Sequence, residues 1–196
     1  MVRKATVGRK TRETEINAAL KIDGEGTSEI DTGIGFFTHM LETFAKHGSF
    51  DLEIKVKGDL EVDQHHTVED TGIVLGQLFK EALNDKKGIK RAGFFICSMD
   101  EALVMTAVDI SNRPYFFMNA GFKKEKVGKF STELLEDFFR AFVTSFGASL
   151  HIAVIYGRSD HHKIEAVFKA LGRSLKMACR IEEGRKDQTL STKGML

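Results

Sequence analysis

Apolar residues recur along this chain with two periods, and the order of those periods comes twice. Ile16, Ala18, Leu20 and Ile22 alternate with Glu15, Asn17 and Lys21, the period of two expected of a half-buried strand. Asp23-Gly24-Glu25-Gly26 supplies a turn, and Thr27 to Asp31 a return strand. Phe36, Phe37, Met40, Leu41 and Phe44 fall at helical spacing. Phe50, Leu52, Ile54 and Val56 alternate with Asp51, Glu53, Lys55 and Lys57, another strand. From His66 to Leu83 the positions Val68, Leu75, Leu78, Phe79 and Leu83 predict a helix. The first half therefore reads strand-strand-helix-strand-helix.

The second half repeats this order. Phe94 to Met99 and Ala102 to Ile110 read as strands around a turn near Asp100-Glu101. Leu135, Phe138, Phe139, Phe142 and Phe146 form a helical stripe, Leu150 to Tyr156 a strand. Ile164, Val167, Phe168, Leu171, Leu175 and Ala178 predict a long amphipathic helix. Core packing accounts for the phenylalanine stripes without a cofactor. The expected fold is mixed α/β (α+β), with an internally duplicated unit and two four-stranded sheets with helices packed between them. Residues 1–88 are expected as the first repeat, 89–184 as the second and 185–196 as a C-terminal tail, in one integrated domain. Such a tail, with Ser191 and Lys193, is either disordered or ordered over a ligand.

Composition adds mainly exclusions. The 196 residues are enough to bury a sizeable core, and 29 basic against 28 acidic residues give no bulk charge for nucleic acid. Two cysteines, Cys97 and Cys179, without a Cys-x-x-Cys pair, suit a reducing compartment, and a cytoplasmic location is expected. Met1 to Leu20 has no apolar stretch of signal-peptide type, and no run approaches the roughly 20 apolar residues of a membrane span.

The candidate chemistry lies in two blocks about half a chain apart, His65-His66-Thr67-Val68-Glu69 and His161-His162-Lys163-Ile164-Glu165. On a helix, residues three or four apart share a face, so His65 can meet one ion with Glu69, and His161 with Glu165. Adjacent histidines point about 100° apart and do not readily reach one ion. Two ions, with each pair splitting its imidazoles between them, satisfy both constraints. His39 on the early helix of the first half, and Asp137 on that of the second, would complete the shells. Imidazole and carboxylate without thiolate suit manganese, iron(II), nickel or zinc. Paired histidines also occur on solvated helix faces, but two copies with one spacing in matching contexts weigh against that. His47 reads as a helix-end residue, and His151 as a hydrogen-bonded core or supporting histidine. Lys169 and Arg173 continue the face of Glu165. Arg91, Arg113, Ser191 and Lys193 lie beside glycines or near turns. From residues alone, a metal-dependent enzyme, a dinuclear hydrolase and a metal-storage protein all stay open.

These blocks stand among further motifs. They are Arg9-Lys10-Thr11-Arg12-Glu13-Thr14, Leu20-Lys21-Ile22-Asp23-Gly24-Glu25-Gly26, Gly33-Ile34-Gly35-Phe36-Phe37-Thr38-His39-Met40-Leu41, Ser111-Asn112-Arg113-Pro114-Tyr115 and Ser191-Thr192-Lys193-Gly194. In this order the chain resembles the imidazoleglycerol-phosphate dehydratase family over essentially its whole length. The resemblance implies a hydro-lyase of histidine biosynthesis that converts imidazole glycerol phosphate to imidazole acetol phosphate and water. It implies a dinuclear manganese site, through a metal-bound imidazolate and glutamate acid/base catalysis. It also implies a 24-mer of cubic symmetry with active sites shared between subunits. Carried onto this chain, the implied metal ligands are His39, His65, His66, Glu69, His161, His162 and Glu165. Glu13 and Glu165 become the implied acid/base groups, with Glu13 contributed across an interface. Arg91, Arg113, Lys169, Ser191 and Lys193 match the positions that bind the substrate phosphate. Many family members carry histidine where this chain has Asp137; Asp137 would ligate through oxygen, or Glu136 or water would fill that position.

Overall fold

The computed structural model describes residues 2–192. Lys193, expected at the substrate phosphate, lies outside the described residues. The elements in order are β1 (Lys4–Lys10), β2 (Thr14–Lys21), β3 (Ser28–Asp31), α1 (Gly35–Gly48), β4 (Asp51–Gly58) and α2 (His65–Leu83). There follow β5 (Ala92–Met99), β6 (Ala102–Asp109), β7 (Tyr115–Asn119), β8 (Lys126–Val127), β9 (Phe130–Ser131), α3 (Leu134–Phe146), β10 (Ser149–Tyr156) and α4 (Asp160–Cys179), then a short 3-10 turn at Glu183–Arg185. Two four-stranded sheets form, in the orders β1-β2-β4-β3 and β5-β6-β10-β7. In each, three strands run antiparallel and the last pairs in parallel, β3 with β4 and β7 with β10.

Three elements were not read from the pattern. β1 is an edge strand whose inward positions are Ala5, Val7 and Arg9, too little apolar area to mark alternation. β7 is a continuous run, Tyr-Phe-Phe-Met, with no polar beat. The β8–β9 hairpin is too short for any period. Each half therefore opens with three strands of its four-stranded sheet rather than two, and the second adds the short hairpin before α3. His151 also differs from expectation. It lies exposed on the outer face of the second sheet, its ring 5.6 Å from that of Tyr115 and 6.1 Å from that of Phe117. In β10 it alternates with Leu150 and Ile152, which take the inward positions.

The four helices lie between the sheets. α2 packs on β1, β2 and β4, α4 on β5 and β6, and the layers meet as α2 on α3 and α1 on α4. The interior is aromatic, with Phe37, Phe44, Phe79, Phe138, Phe139, Phe142, Phe146 and Phe168 almost fully buried. Glycines set the helix crossings. A Cβ on Gly72 of α2 would lie 2.5 Å from the Phe138 carbonyl of α3, and one on Gly172 of α4 would lie 2.6 Å from the Phe44 carbonyl of α1. Each late helix thus meets the early helix of the other half at backbone contact. Among the described residues no helix is long and apolar enough to cross a membrane.

Candidate functional site

Both histidine blocks occupy the first turn of a long helix, α2 and α4, just after the last strand of their half. Their third residues, Thr67 and Lys163, are buried over Gly58 and Gly157, where a Cβ would crowd the side chain. Ser159 caps α4 by accepting the His162 N–H at 3.4 Å, and Asp160 adds a favourable negative charge at the helix start. Each block thus begins at a defined point and shows its histidines on diverging faces. The planes of His65 and His66 meet at 82°, those of His161 and His162 at 83°.

The first histidine of each block finds its own glutamate one turn on. His65 Nε2 lies 3.5 Å from Glu69 Oε2, and His161 Nε2 lies 3.4 Å from Glu165 Oε2. The early helices then serve the opposite block. His39 of α1 places Nε2 3.9 Å from Glu165 Oε2, so His39, His161 and Glu165 bring three donor atoms within 4.8 Å of one another. Asp137 of α3 stands 3.5 Å from Nδ1 of His65, while Glu69 stands at Nε2, so the two carboxylates meet different nitrogens of that ring.

The second histidines turn away to carboxylates that the sequence pattern did not single out. The His66 Nδ1–H donates to Asp59 at 3.0 Å, and the His162 Nδ1–H donates to Glu101 Oε2 at 2.7 Å. Both rings keep Nε2 free of these bonds, the usual way a carboxylate fixes the tautomer of a metal-binding histidine. Hydrogen bonding to these carboxylates raises the pKa of both histidines. Glu101, held by His162 and by the N–H of Ser159, is lowered to about 2. Asp100, Glu101 and His162 form a second cluster of possible donors. Besides His162 itself, its only sequence signal was the turn at Asp100-Glu101. The equivalent turn of the first half carries Glu13, whose Oε1 lies 3.7 Å from His66 Nε2.

Lys169 Nζ donates to Glu165 Oε1 at 2.8 Å, one turn along α4. Burial would raise the Glu165 carboxyl, but the Lys169 ammonium and the nearby His39 and His161 hold it below the usual range. A cavity of about 810 Å³ opens beside His65 and Asp137, lined also by Asp63, Asn119 and Phe122. Imidazole nitrogens and carboxylate oxygens, with no thiolate among them, fit a first-row divalent ion such as manganese.

The expected phosphate residues are not all gathered here. The Arg91 N–H bonds the Ala178 carbonyl near the end of α4, roughly 25 Å of helix from His161 at 1.5 Å per residue. The Arg91 guanidinium is occupied by Asp109, at 2.6 and 2.9 Å, and by the Leu190 carbonyl at 2.7 Å. Arg113 is exposed beyond the end of β6, and the Ser191 N–H bonds the Thr189 carbonyl.

A sequence profile of imidazoleglycerol-phosphate dehydratase matches residues 32–175. The chain is 56% identical over 196 residues to the Acetivibrio thermocellus imidazoleglycerol-phosphate dehydratase, covering all of both chains. It is 57% identical over 195 residues to that of Thermoanaerobacter pseudethanolicus, again at 100% of each. Among solved structures it is similar to imidazoleglycerol-phosphate dehydratase from Staphylococcus aureus (TM-score 0.83, 43% identity, 91% of this chain and 99% of that one). The structure from Pyrococcus furiosus matches with TM-score 0.84 and 36% identity, over 97% of this chain and 100% of that one. The chain belongs to the imidazoleglycerol-phosphate dehydratase family of hydro-lyases.

Proposed function

We propose that this protein dehydrates imidazole glycerol phosphate to imidazole acetol phosphate and water in histidine biosynthesis, using two manganese ions per site. The observation that carries this reading is the convergence of His39, His161 and Glu165, drawn from two helices of opposite halves, in a chain similar to such enzymes from end to end. His65 and Glu69 form the counterpart on α2, and His66 and His162 offer the Nε2 atoms that Asp59 and Glu101 do not engage. Asp137, at Nδ1 of His65, serves that ring as an orienting acceptor or an oxygen ligand. The bound ions would supply Lewis acidity and a template for the substrate imidazole.

The reaction removes a hydroxyl from the side-chain carbon next to the ring and a proton from its neighbour; the resulting enol becomes the ketone. Two groups are needed, one to protonate the departing hydroxyl and one to take the C–H proton. Glu13 beside His66 and Glu165 beside His161 are carboxylates in reach of the two histidine faces. Lys169 keeps Glu165 ionised and ready to accept. In this reading Glu13→Gln leaves metal content intact and lowers turnover by about two orders of magnitude or more; near-normal turnover would remove Glu13 from the chemistry.

Arg91, Arg113 and the tail with Ser191 and Lys193 would hold the phosphate and orient the reacting end. Because Arg91 and His161 lie at opposite ends of α4, one copy would supply the metal end of a site and another the phosphate end. A large homo-oligomer with shared active sites follows, the 24-mer that the resemblance implies. The decisive assay follows ketone formation from imidazole glycerol phosphate with added manganese. Inorganic phosphate without ketone would instead indicate a hydrolase. Metal uptake with neither product would indicate storage.

A further inference from the structure

The segment from Arg9 to Thr14 carries more polar chemistry than Glu13 uses. Arg9 Nη2 donates to Asp70 Oδ1 at 2.9 Å, and the Thr14 hydroxyl donates to Asp70 Oδ2 at 2.5 Å. The Thr11 hydroxyl lies 3.4 Å from that of Thr14. With Thr14 donating to Asp70, Thr11 donates to Thr14, and the Thr11 oxygen is left to accept. It takes the N–H of Glu13 at 3.1 Å and that of Thr14 at 3.0 Å. The line runs without a break from α2 to the backbone of Glu13. Asp70 directly follows Glu69, and both Asp70 and Thr14 are buried.

The second half shows that the fold does not require this arrangement. Ala166 stands in the place of Asp70, fully buried on α4. There the hairpin tip is held from outside the helix face, by the N–H of Ser159 to Glu101 at 2.7 Å and that of Arg158 at 3.2 Å. A late helix can therefore pack its hairpin without a buried carboxylate. The first half nevertheless keeps one and places beside it an arginine whose Nε is buried without a hydrogen-bond partner among the described residues. Such a group is costly unless something other than packing is gained.

We propose that Arg9, Thr14 and Asp70, acting through Thr11, are positioning residues that fix the Glu13 carboxylate beside His66. This rests on Glu13 being the acid/base group of the proposed reaction. A hydrogen-bonded turn limits where that carboxylate can stand, and small displacements of a reacting group are expensive in rate.

The test compares Thr14→Val, which keeps the side-chain volume and the Arg9–Asp70 pair, with Thr11→Ala, which breaks the same line at a partly exposed position. Each is made alone and in a Glu13→Gln background. Both single variants should bind metal as the parent does and keep KM for imidazole glycerol phosphate within about twofold, while kcat falls roughly ten- to a hundredfold. Thr14→Ser should restore turnover. In the Glu13→Gln background neither change should lower kcat further, because the group they position has gone. Equal losses in both backgrounds would overturn the relay, as would unchanged kcat in both single variants. Near-normal turnover of Glu13→Gln alone would instead overturn the acid/base reading of Glu13. The two failures are thus separable.

Discussion

At the scale of single residues, the orientation of each histidine is set by the carboxylate beside it. Glu101 and Asp59 each accept from an Nδ1–H, so that under the proposed function Nε2 would be the ligand atom of His162 and His66. Replacing Glu101 by Gln keeps the size and removes the charge-assisted bond. Manganese affinity, measured by calorimetric titration, should weaken about ten- to a hundredfold, with the fold unchanged. Unaltered affinity would mean that Glu101 does not orient a ligand. The blocks themselves were plain in the sequence, because i and i+4 on a helix share a face. Glu101 and Asp59 were not, because a turn carries no period and its side chains gain their partners only through the fold.

At the scale of elements, glycines and one aspartate decide how the parts seat. Gly72 lets α2 approach the α3 backbone, which brings Asp137 to His65. Gly72→Ala would drive a methyl against the Phe138 carbonyl, and overpacking of this kind costs about 1–3 kcal/mol. Thermal unfolding should show a lower midpoint; an unchanged midpoint would mean that the helices separate freely. Asp51, at the start of β4, accepts from the Glu25 N–H at 2.8 Å, from the Thr27 hydroxyl at 2.8 Å and from Lys21 at 3.1 Å. These bonds, that from Glu25 foremost, hold its carboxyl well below the usual carboxylate range. A depressed carboxyl stabilises the folded state above its unfolded pKa, about 3.9, and loses that contribution as pH falls toward the folded value. Asp51→Asn should therefore lower the unfolding midpoint at neutral pH, and the gap from the parent should narrow as pH drops below about 4. A gap that stays constant with pH would assign the effect to shape rather than charge.

At the scale of the whole molecule, the two sheets share a topology but not a surface. The outward positions of the first carry Lys4, Glu15, Asn17, Glu53 and Lys55. Those of the second expose Phe94 (63%), Ile96 (56%), Tyr115 (58%) and Phe117 (50%). Exposed apolar side chains of this kind, carried on both edge strands of one sheet face, favour association, in keeping with the proposed sharing of sites between copies. A mixing experiment tests the sharing. Arg91→Ala and His161→Ala, each inactive alone, should regain part of the activity when unfolded and refolded together, since some sites would then draw Arg91 and His161 from two intact partners. No recovery in mixed assemblies would mean that each site is built within one chain.

Periodicity and spacing alone determined the four helices and the alternating strands of each half, the aromatic stripes that fill the interior, and the two His-His-x-x-Glu blocks with His39 on the early helix. These are local properties, written into sequence by the 3.6- and 2-residue repeats. Tertiary structure alone decided that His39 serves the second block and Asp137 the first. That exchange depends on which helices cross, and crossing is set by glycine contacts between residues far apart in the chain. It also decided that Asp59 and Glu101 stand at the second histidines, that Asp70 meets Arg9 and Thr14, and that His151 faces outward. No pattern along a strand tip or turn says which helix end will stand beside it; only the packed sheets and helices bring those groups within hydrogen-bond reach.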